Sequence, residues 1–436
     1  MKSPIGNTLL DDYSGPFDPE VGLASFSRQT LADLGREYLL NGHLQDRVGL
    51  PLVAKKFGGN AYVQFSIEEW MAASPLYSAR MQRAMRFEGH EVGTVFKNLQ
   101  LDIGAPHQFM DFQFSLEGPD YGEFWLPHCG ALLDVEPFGE QRVKLMCHDI
   151  EDPTFDATAA ATHPCMKMRP LHRPPRVPAD RQPHCRWSVA IDDESQPYEQ
   201  HPNLEILKGS LLAAVGLVPF ADEAEAGGWP DYSGAFDPGF QLEDLSHQAL
   251  GIVIQEFAVQ SHLLARAFML CASQRLDEDA AAELGRSQWT GIGALTAERI
   301  IRALGIEGEG IDAIAKVLQI HPCFHPRTYS EISLEIVDAR SVRLTLHDCP
   351  ALAEEDALSW FAGLGEASHP AIEAIAGVVN PRARCHALPR PAGGGLAWLV
   401  EIDPAGELRP EPQELKLARI SRGAAFEFEQ RRPLRG

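Results

Sequence analysis

DYSGPFDP at residues 12–19 returns as DYSGAFDP at residues 231–238, with seven of eight positions identical at a spacing of 219. The same spacing continues outward from the motif without a gap. It pairs Gln29 with Gln248, His43 with His262, Arg47 with Arg266, Trp70 with Trp289, Arg80 with Arg299 and Arg83 with Arg302. The register runs to FEG (87–89) and IEG (306–308). Two Trp and two His kept in step over that length point to one unit written twice. The period is far too long for a solenoid repeat. The expected organisation is a first repeat over 1–221, an acidic Gly-bearing linker DEAEAGGWP over 222–230, and a second repeat over 231–436.

Downstream, a spacing of 199 sets His148-Asp149 against His347-Asp348, which leaves twenty extra residues in the first repeat. They read as an added β-hairpin at about 103–126, turning at Gly118-Pro119-Asp120. A spacing of 211 then matches WSVAID (187–192) with WLVEID (398–403). Within each repeat, Leu23, Phe26, Leu31, Leu34 and Tyr38 have helical apolar spacing. A second helix is expected over about 76–101, and its equivalent over 295–318. QRVKLMCH (141–148) and SVRLTLH (341–347) alternate polar and apolar, as strands do. A helical insert over 352–365, shorter at 157–163, precedes two closing strands. Helices followed by strands predict an α+β class, with N-terminal helices packed on an antiparallel sheet in each copy.

The second copy resembles a family of uncharacterised bacterial domains on YSGAFDP, the paired helices, HDCPA (347–351), VVNPRARC (378–385) and WLVEI (398–402). Members of that family are likened to L-2-amino-thiazoline-4-carboxylic acid hydrolase and, loosely, to vinyl-4-reductase-like ligand-binding domains. The resemblance covers about 225–405 and, more weakly, 12–195. It implies the fold and, beyond that, an enzyme that opens a small C–N/C–S ring. The family's Asp-Cys-Pro element falls on Asp348-Cys349-Pro350.

Composition narrows the classes. The 436 residues are 44% hydrophobic and 23% charged, as in an ordinary globular protein of two or three domains. A net charge of −23 disfavours nucleic-acid and anionic-membrane partners. Apolar runs are too short to span a bilayer, and Met1–Pro4 lacks a signal-peptide core. A cytoplasmic protein with a small-molecule substrate is expected. The eight Cys form no CxxC pair, yet seven lie within two residues of a His.

That density marks the candidate chemistry. His321, Cys323 and His325 would share one face if extended, giving soft donors for zinc or iron. His128 and Cys129 form a further candidate pair of ligands. Cys349, ahead of a helix and two residues from His347, has the setting of a nucleophile, with Asp348 available to orient a His. In the first copy Cys147, His148, Asp149 and Glu151 make an analogous set, Glu151 fit for acid–base work if buried. His43/His262 with Arg47/Arg266 sit four apart on one helical face, as an anion-binding pair or as structural partners of the DYSG-FDP aspartates. RPLHRPPRVPADRQPH (169–184) reads as a rigid connection, or as an arm bringing Arg173 or Arg176 to a carboxylate. The leading expectation is a hydrolase or ring-opening lyase using Cys and His, metal-assisted or not. A non-catalytic ligand- or metal-binding module and a structural subunit of a larger enzyme are the rivals.

Overall fold

The computed structural model describes residues 9–58, 61–365, 367–431 and 434. The Met1–Pro4 stretch weighed as a signal peptide lies outside them. The first half holds helices α1 (Arg28–Leu44), α2 (Asp46–Phe57), α3 (Ala61–Ala84) and α4 (Val92–Leu99). Strands β1 (Gln113–Leu116) and β2 (Tyr121–Leu126) follow, then α5 (Gly130–Val135), α6 (Glu140–Lys144) and α7 (Glu151–Ala160). Strands β3 (Met166–His172) and β4 (Cys185–Ile191) close this half, and α8 (Pro202–Lys208) and α9 (Leu211–Ala214) lead onward. The second half has α10 (His247–Ser273), α11 (Glu278–Ala303), α12 (Ile311–Ile320), β5 (Ile332–Asp338), β6 (Ser341–Leu346), α13 (Pro350–Ala353), α14 (Pro370–Val379), β7 (Ala383–Leu388), β8 (Leu396–Ile402) and α15 (Gln413–Ala418).

The architecture is mixed α+β, with two four-stranded antiparallel sheets of identical order, β1-β2-β4-β3 and β5-β6-β8-β7. Trp187 lies opposite Phe124 across one sheet, and Trp398 opposite Leu344 across the other. Both indoles are buried core residues. Ser27, Ser246 and Asp277 start α1, α10 and α11 by accepting from the N–H three residues on. Helix α10 is buried nearly all round because it runs through the interior against α1, α3 and α11. Gly42 lets α1 approach closely there. A Cβ at that position would stand 2.7 Å from Ile103 and 2.9 Å from Ser261 Oγ.

The DYSG motifs dock on the opposite half. The Tyr13 hydroxyl donates to Gln319 (2.6 Å) and the Tyr232 hydroxyl to Gln100 (2.8 Å). Lys316 Nζ donates to the carbonyls of Tyr13 and Gly15, and Lys97 Nζ to those of Tyr232 and Gly234. Arg80 pairs with Glu256 at 2.7 Å, and Arg299 with Glu37 at 2.6 Å. Each contact has its counterpart 219 residues away, so the motif serves as reciprocal glue. The 222–230 seam is docked too: Glu225 accepts from the Arg28 N–H (2.8 Å) and Trp229 N–H donates to Asp244 O (2.7 Å).

Several sequence expectations are corrected. The helix expected over 76–101 is broken: α3 ends at Ala84, Arg86 turns with φ 56°, and α4 begins at Val92. The break between α11 and α12 uses Gly305 (φ 58°) and Gly308 (φ 87°). QRVKLMCH is helical, formed by α6 and a π-helical turn, Leu145–Ile150. Val143, Cys147 and Ile150 are its buried residues, and their spacing of four and three fits a helical face. The 321–325 stretch is a 3₁₀ turn, Pro322–Phe324, set by its prolines rather than a strand. The insert expected over 352–365 is α13 plus a 3₁₀ turn at Trp360–Gly363, and the one at 157–163 is the longer α7. The hairpin at 103–126 is no addition, because β1–β2 has its equivalent in β5–β6. Pairing His148-Asp149 with His347-Asp348 therefore fails. In sheet position it is His128-Cys129, after β2, that corresponds to Asp348-Cys349, after β6.

Candidate functional site: a polar cavity in the first half

A cavity of about 140 Å³ opens between the α1–α2 corner, α3, the 99–112 segment and the α5–α7 region. Its walls are largely apolar, including Leu50, Met110, Phe112, Ile150 and Phe155. Set into them is an unusual density of buried polar groups.

His43, in the last turn of α1, accepts from the Arg47 guanidinium on Nε2 at 3.0 Å. Arginine can only donate, so the imidazole proton sits on Nδ1. That nitrogen is buried with no partner. Burial and Arg47 hold His43 neutral by depressing its pKa well below the usual value. Arg47 is itself fixed by Asp134 at 2.9 Å. Asp46 opens α2. Its Oδ2 accepts from Trp70 Nε1 at 2.8 Å, and its other partner is the Glu69 carboxyl. Burial lifts its pKa to about 6. Behind it Glu69 is fully buried against Asp46; burial, then the Asp46 charge and the hydrogen bond between the two carboxyls, raise its pKa well above a normal carboxyl. Glu69 is thus the protonated member of a carboxyl–carboxylate pair.

In the same lining Asp102 accepts from the Tyr77 hydroxyl (2.8 Å) and the Gly104 N–H (2.6 Å), and burial lifts it to about 6. The Tyr62 hydroxyl is buried and unpartnered, with the Arg142 guanidinium 3.8 Å from its ring centroid. Glu151, the first residue of α7, completes the lining. Burial raises it to about 8 against the opposing pull of Arg173. Near pH 7 the cavity lining therefore holds mostly ionised Asp46 and Asp102, mostly protonated Glu151 and a neutral imidazole, with Glu69 behind Asp46.

Of the residues singled out from sequence, Glu151 lines the cavity, and Cys147, one helical turn before it, lies just behind. Cys147, Cys129, Cys185 and His184 surround a crevice of about 10 Å³ that Glu151 also lines. Burial pushes Cys129 up to about 12 and Cys147 and Cys185 well above the normal thiol value, so these sulfurs are thiols, not thiolates. Cys129 Sγ instead caps α5, accepting from the Leu132 N–H. His128 stacks loosely near His184, ring centroids 6.1 Å apart. His148 lies 2.7 Å from Pro174 O, and Asp149 is exposed. Arg173 and Arg176 pair with Asp152 and Glu136, folding the 169–184 run over this region.

The second-half candidates do not converge. Cys349 is buried ahead of α13 with its thiol pKa raised by burial. His347 bonds Ser333 Oγ at 2.8 Å, and Asp348 is exposed. His321 is used up by Gly293 O and the Cys323 N–H, while His325 Nε2 meets Gln319 O. The expected ligand set His321, Cys323 and His325 is thus tied to main chain. Among the described residues, the group with metal-ligand spacing is His163, Cys165 and Asp193, whose donor atoms lie within 4.8 Å of one another.

His262 and Arg266 repeat His43 and Arg47, but Arg266 pairs with Asp356 and Glu354, not with the DYSG-FDP aspartates. Trp289 stacks on Trp360 (5.7 Å, 5°) and packs on Phe361 and His369. At the 219 spacing Asp46, Tyr62 and Glu69 become Ala265, Ala281 and Gln288. Sequence reasoning missed Asp46, Tyr62, Glu69, Asp102 and Arg142. The signal for Asp46, Tyr62 and Glu69 lay in what the 219 spacing does not keep.

No helix among the described residues is long and apolar enough to cross a membrane. Compared with known proteins, the chain matches no family model, no curated protein and no solved structure. The likeness to the thiazoline-carboxylate hydrolase family therefore rests on its motifs alone.

Proposed function

We propose that the chain is a cytoplasmic small-molecule hydrolase or ring-opening lyase whose working site is the first-half cavity. The observation that carries this is the split among its carboxyl groups: Asp46 at about 6 beside protonated Glu69, and Glu151 at about 8. Carboxyls whose environments separate them in this way supply a base and an acid at one pH. Asp46 takes the proton of a water attacking an sp² carbon, and Glu151 gives its proton to the departing nitrogen or sulfur. The His43 Nδ1–H and the Arg142 guanidinium orient the substrate. The elevated thiols of Cys129 and Cys147 argue against thiolate attack. We further infer that the two halves descend from one duplicated unit, a reading supported by contacts that recur at a spacing of 219, and that only the first half kept the site. Zinc or iron would meet its donors at His163, Cys165 and Asp193, and no step above passes through it.

The test is incubation with 2-aminothiazoline-4-carboxylate, following loss of the ring by chromatography, with thiol release marking sulfur departure and ring loss without thiol marking nitrogen departure. Turnover lost in Asp46→Asn and Glu151→Gln, with folding kept, supports the proposal. Undiminished turnover in both variants refutes it. The largely apolar wall and a volume suited to a ligand near the size of benzene also favour a second reading, a module that binds a small molecule without converting it. Saturable binding with no product marks that outcome.

A further inference from the structure

We propose that His163, Cys165 and Asp193 form a zinc site that staples the end of α7 and the start of β3 to the turn after β4. This inference stands apart from the cavity's chemistry. The imidazole is already oriented to bind an ion. Its Nδ1 accepts from the Cys165 N–H at 3.2 Å, which leaves Nε2 free to ligate. Nε2 stands 3.7 Å from Asp193 Oδ1, too long for a hydrogen bond but right for two ligands on one ion.

Cys165 differs from the other cysteines. All eight are buried, and the other seven join the continuous apolar core; Cys165 does not. Its thiol donates to the Ser195 carbonyl at 3.7 Å, and the Ser195 hydroxyl is buried without a partner. A buried thiol outside the apolar core, held in a polar turn within 4.8 Å of an imidazole nitrogen and a carboxylate oxygen, has the setting of a ligand.

One sulfur, one imidazole nitrogen and one carboxylate oxygen make a borderline-soft set that suits Zn²⁺ and excludes Mg²⁺ or Ca²⁺, which take oxygen donors. Water fills the fourth position, and the thiol proton goes to solvent on binding. Strand register places Arg382 and Pro404 at the corresponding corner of the second sheet, so the site belongs to the cavity-bearing half. Its mechanical role follows from α7: one end carries Glu151, the other ends three residues before His163.

The experiment is titration of the chelator-treated full chain with ZnCl₂ by calorimetry, and with CoCl₂ by absorption. One equivalent of zinc and a thiolate-to-cobalt charge-transfer band are expected, with Mg²⁺ not competing. Cys165→Ser and His163→Gln should abolish the band and weaken zinc by more than ~100-fold, since outer-shell changes alone cost 10–100-fold. Asp193→Asn, on an exposed turn, keeps the fold and should weaken zinc at least ~10-fold. His347→Gln should change nothing. Absence of one-equivalent binding, or affinity unchanged in Asp193→Asn and Cys165→Ser, overturns the proposal.

Discussion

Glu151→Gln should stabilise the protein in a pH-dependent way. The folded carboxyl titrates near 8, and the unfolded one near 4.5. Between these values the folded chain holds a proton that the unfolded chain has released. Stability from this group therefore falls as pH rises through that window. Each pH unit is worth ~1.4 kcal/mol, so the swing approaches ~5 kcal/mol above pH 8 and is below ~1 kcal/mol at pH 5. That is an upper bound, because a carboxyl facing a cavity keeps some hydration. Gln has the same shape and no charge to desolvate. Urea unfolding at pH 5, 6.5 and 8.5 should show the difference between variant and parent shifting in the variant's favour with pH, by ~2–4 kcal/mol across the series. Asp46 and Asp102 also titrate in this range but cancel in the difference. A difference flat in pH would show that Glu151 is not held protonated, and the acid in the proposed chemistry would be lost with it.

Other consequences follow from the same geometry. Arg80→Ala should cost ~3–5 kcal/mol in urea unfolding by stranding buried Glu256, and Arg80→Met with Glu256→Leu should recover most of it. Gly42→Ala should destabilise by ~1–3 kcal/mol, because the new methyl meets Ile103 at 2.7 Å. Native-state alkylation of Cys129 and Cys147 at pH 7.5 should be slow and should accelerate only on unfolding, as peptide mapping would reveal.

Much of the fold was legible because it rests on local chemistry. The repeated DYSG motif, the capped helices and the alternating SVRLTL strand are each specified by neighbouring residues. Errors arose where two periods fit one short run. Val143, Leu145 and Cys147 satisfy a period of two, but Ile150 and Glu151 show that a helical face wins once the window is extended. His321, Cys323 and His325 looked like a ligand set because spacing says nothing of carbonyls from distant segments; Gly293 O and Gln319 O claim two of those rings. The cavity was the least visible feature. Its parts come from several separate segments, and none is a motif by itself.

The contrast between halves is what gives that cavity its weight. Keeping Asp46, Glu69 and Asp102 away from water costs folding free energy, and the second half shows how the same scaffold avoids the cost. There the equivalent volume is packed by Trp289 on Trp360, with Ala265 and Gln288 where the carboxyls would stand. Aromatic packing is thus available to this fold. At the 219 spacing Asp46 and Glu69 give way to Ala265 and Gln288, so the shared frame does not itself require these buried carboxyls. Replacing Asp46 and Glu69 together by Ala and Gln, as the second half does, should therefore raise the urea midpoint while abolishing ligand binding. A double variant that loses stability would mean that these groups hold the frame together, and the cavity would then be architecture rather than a site.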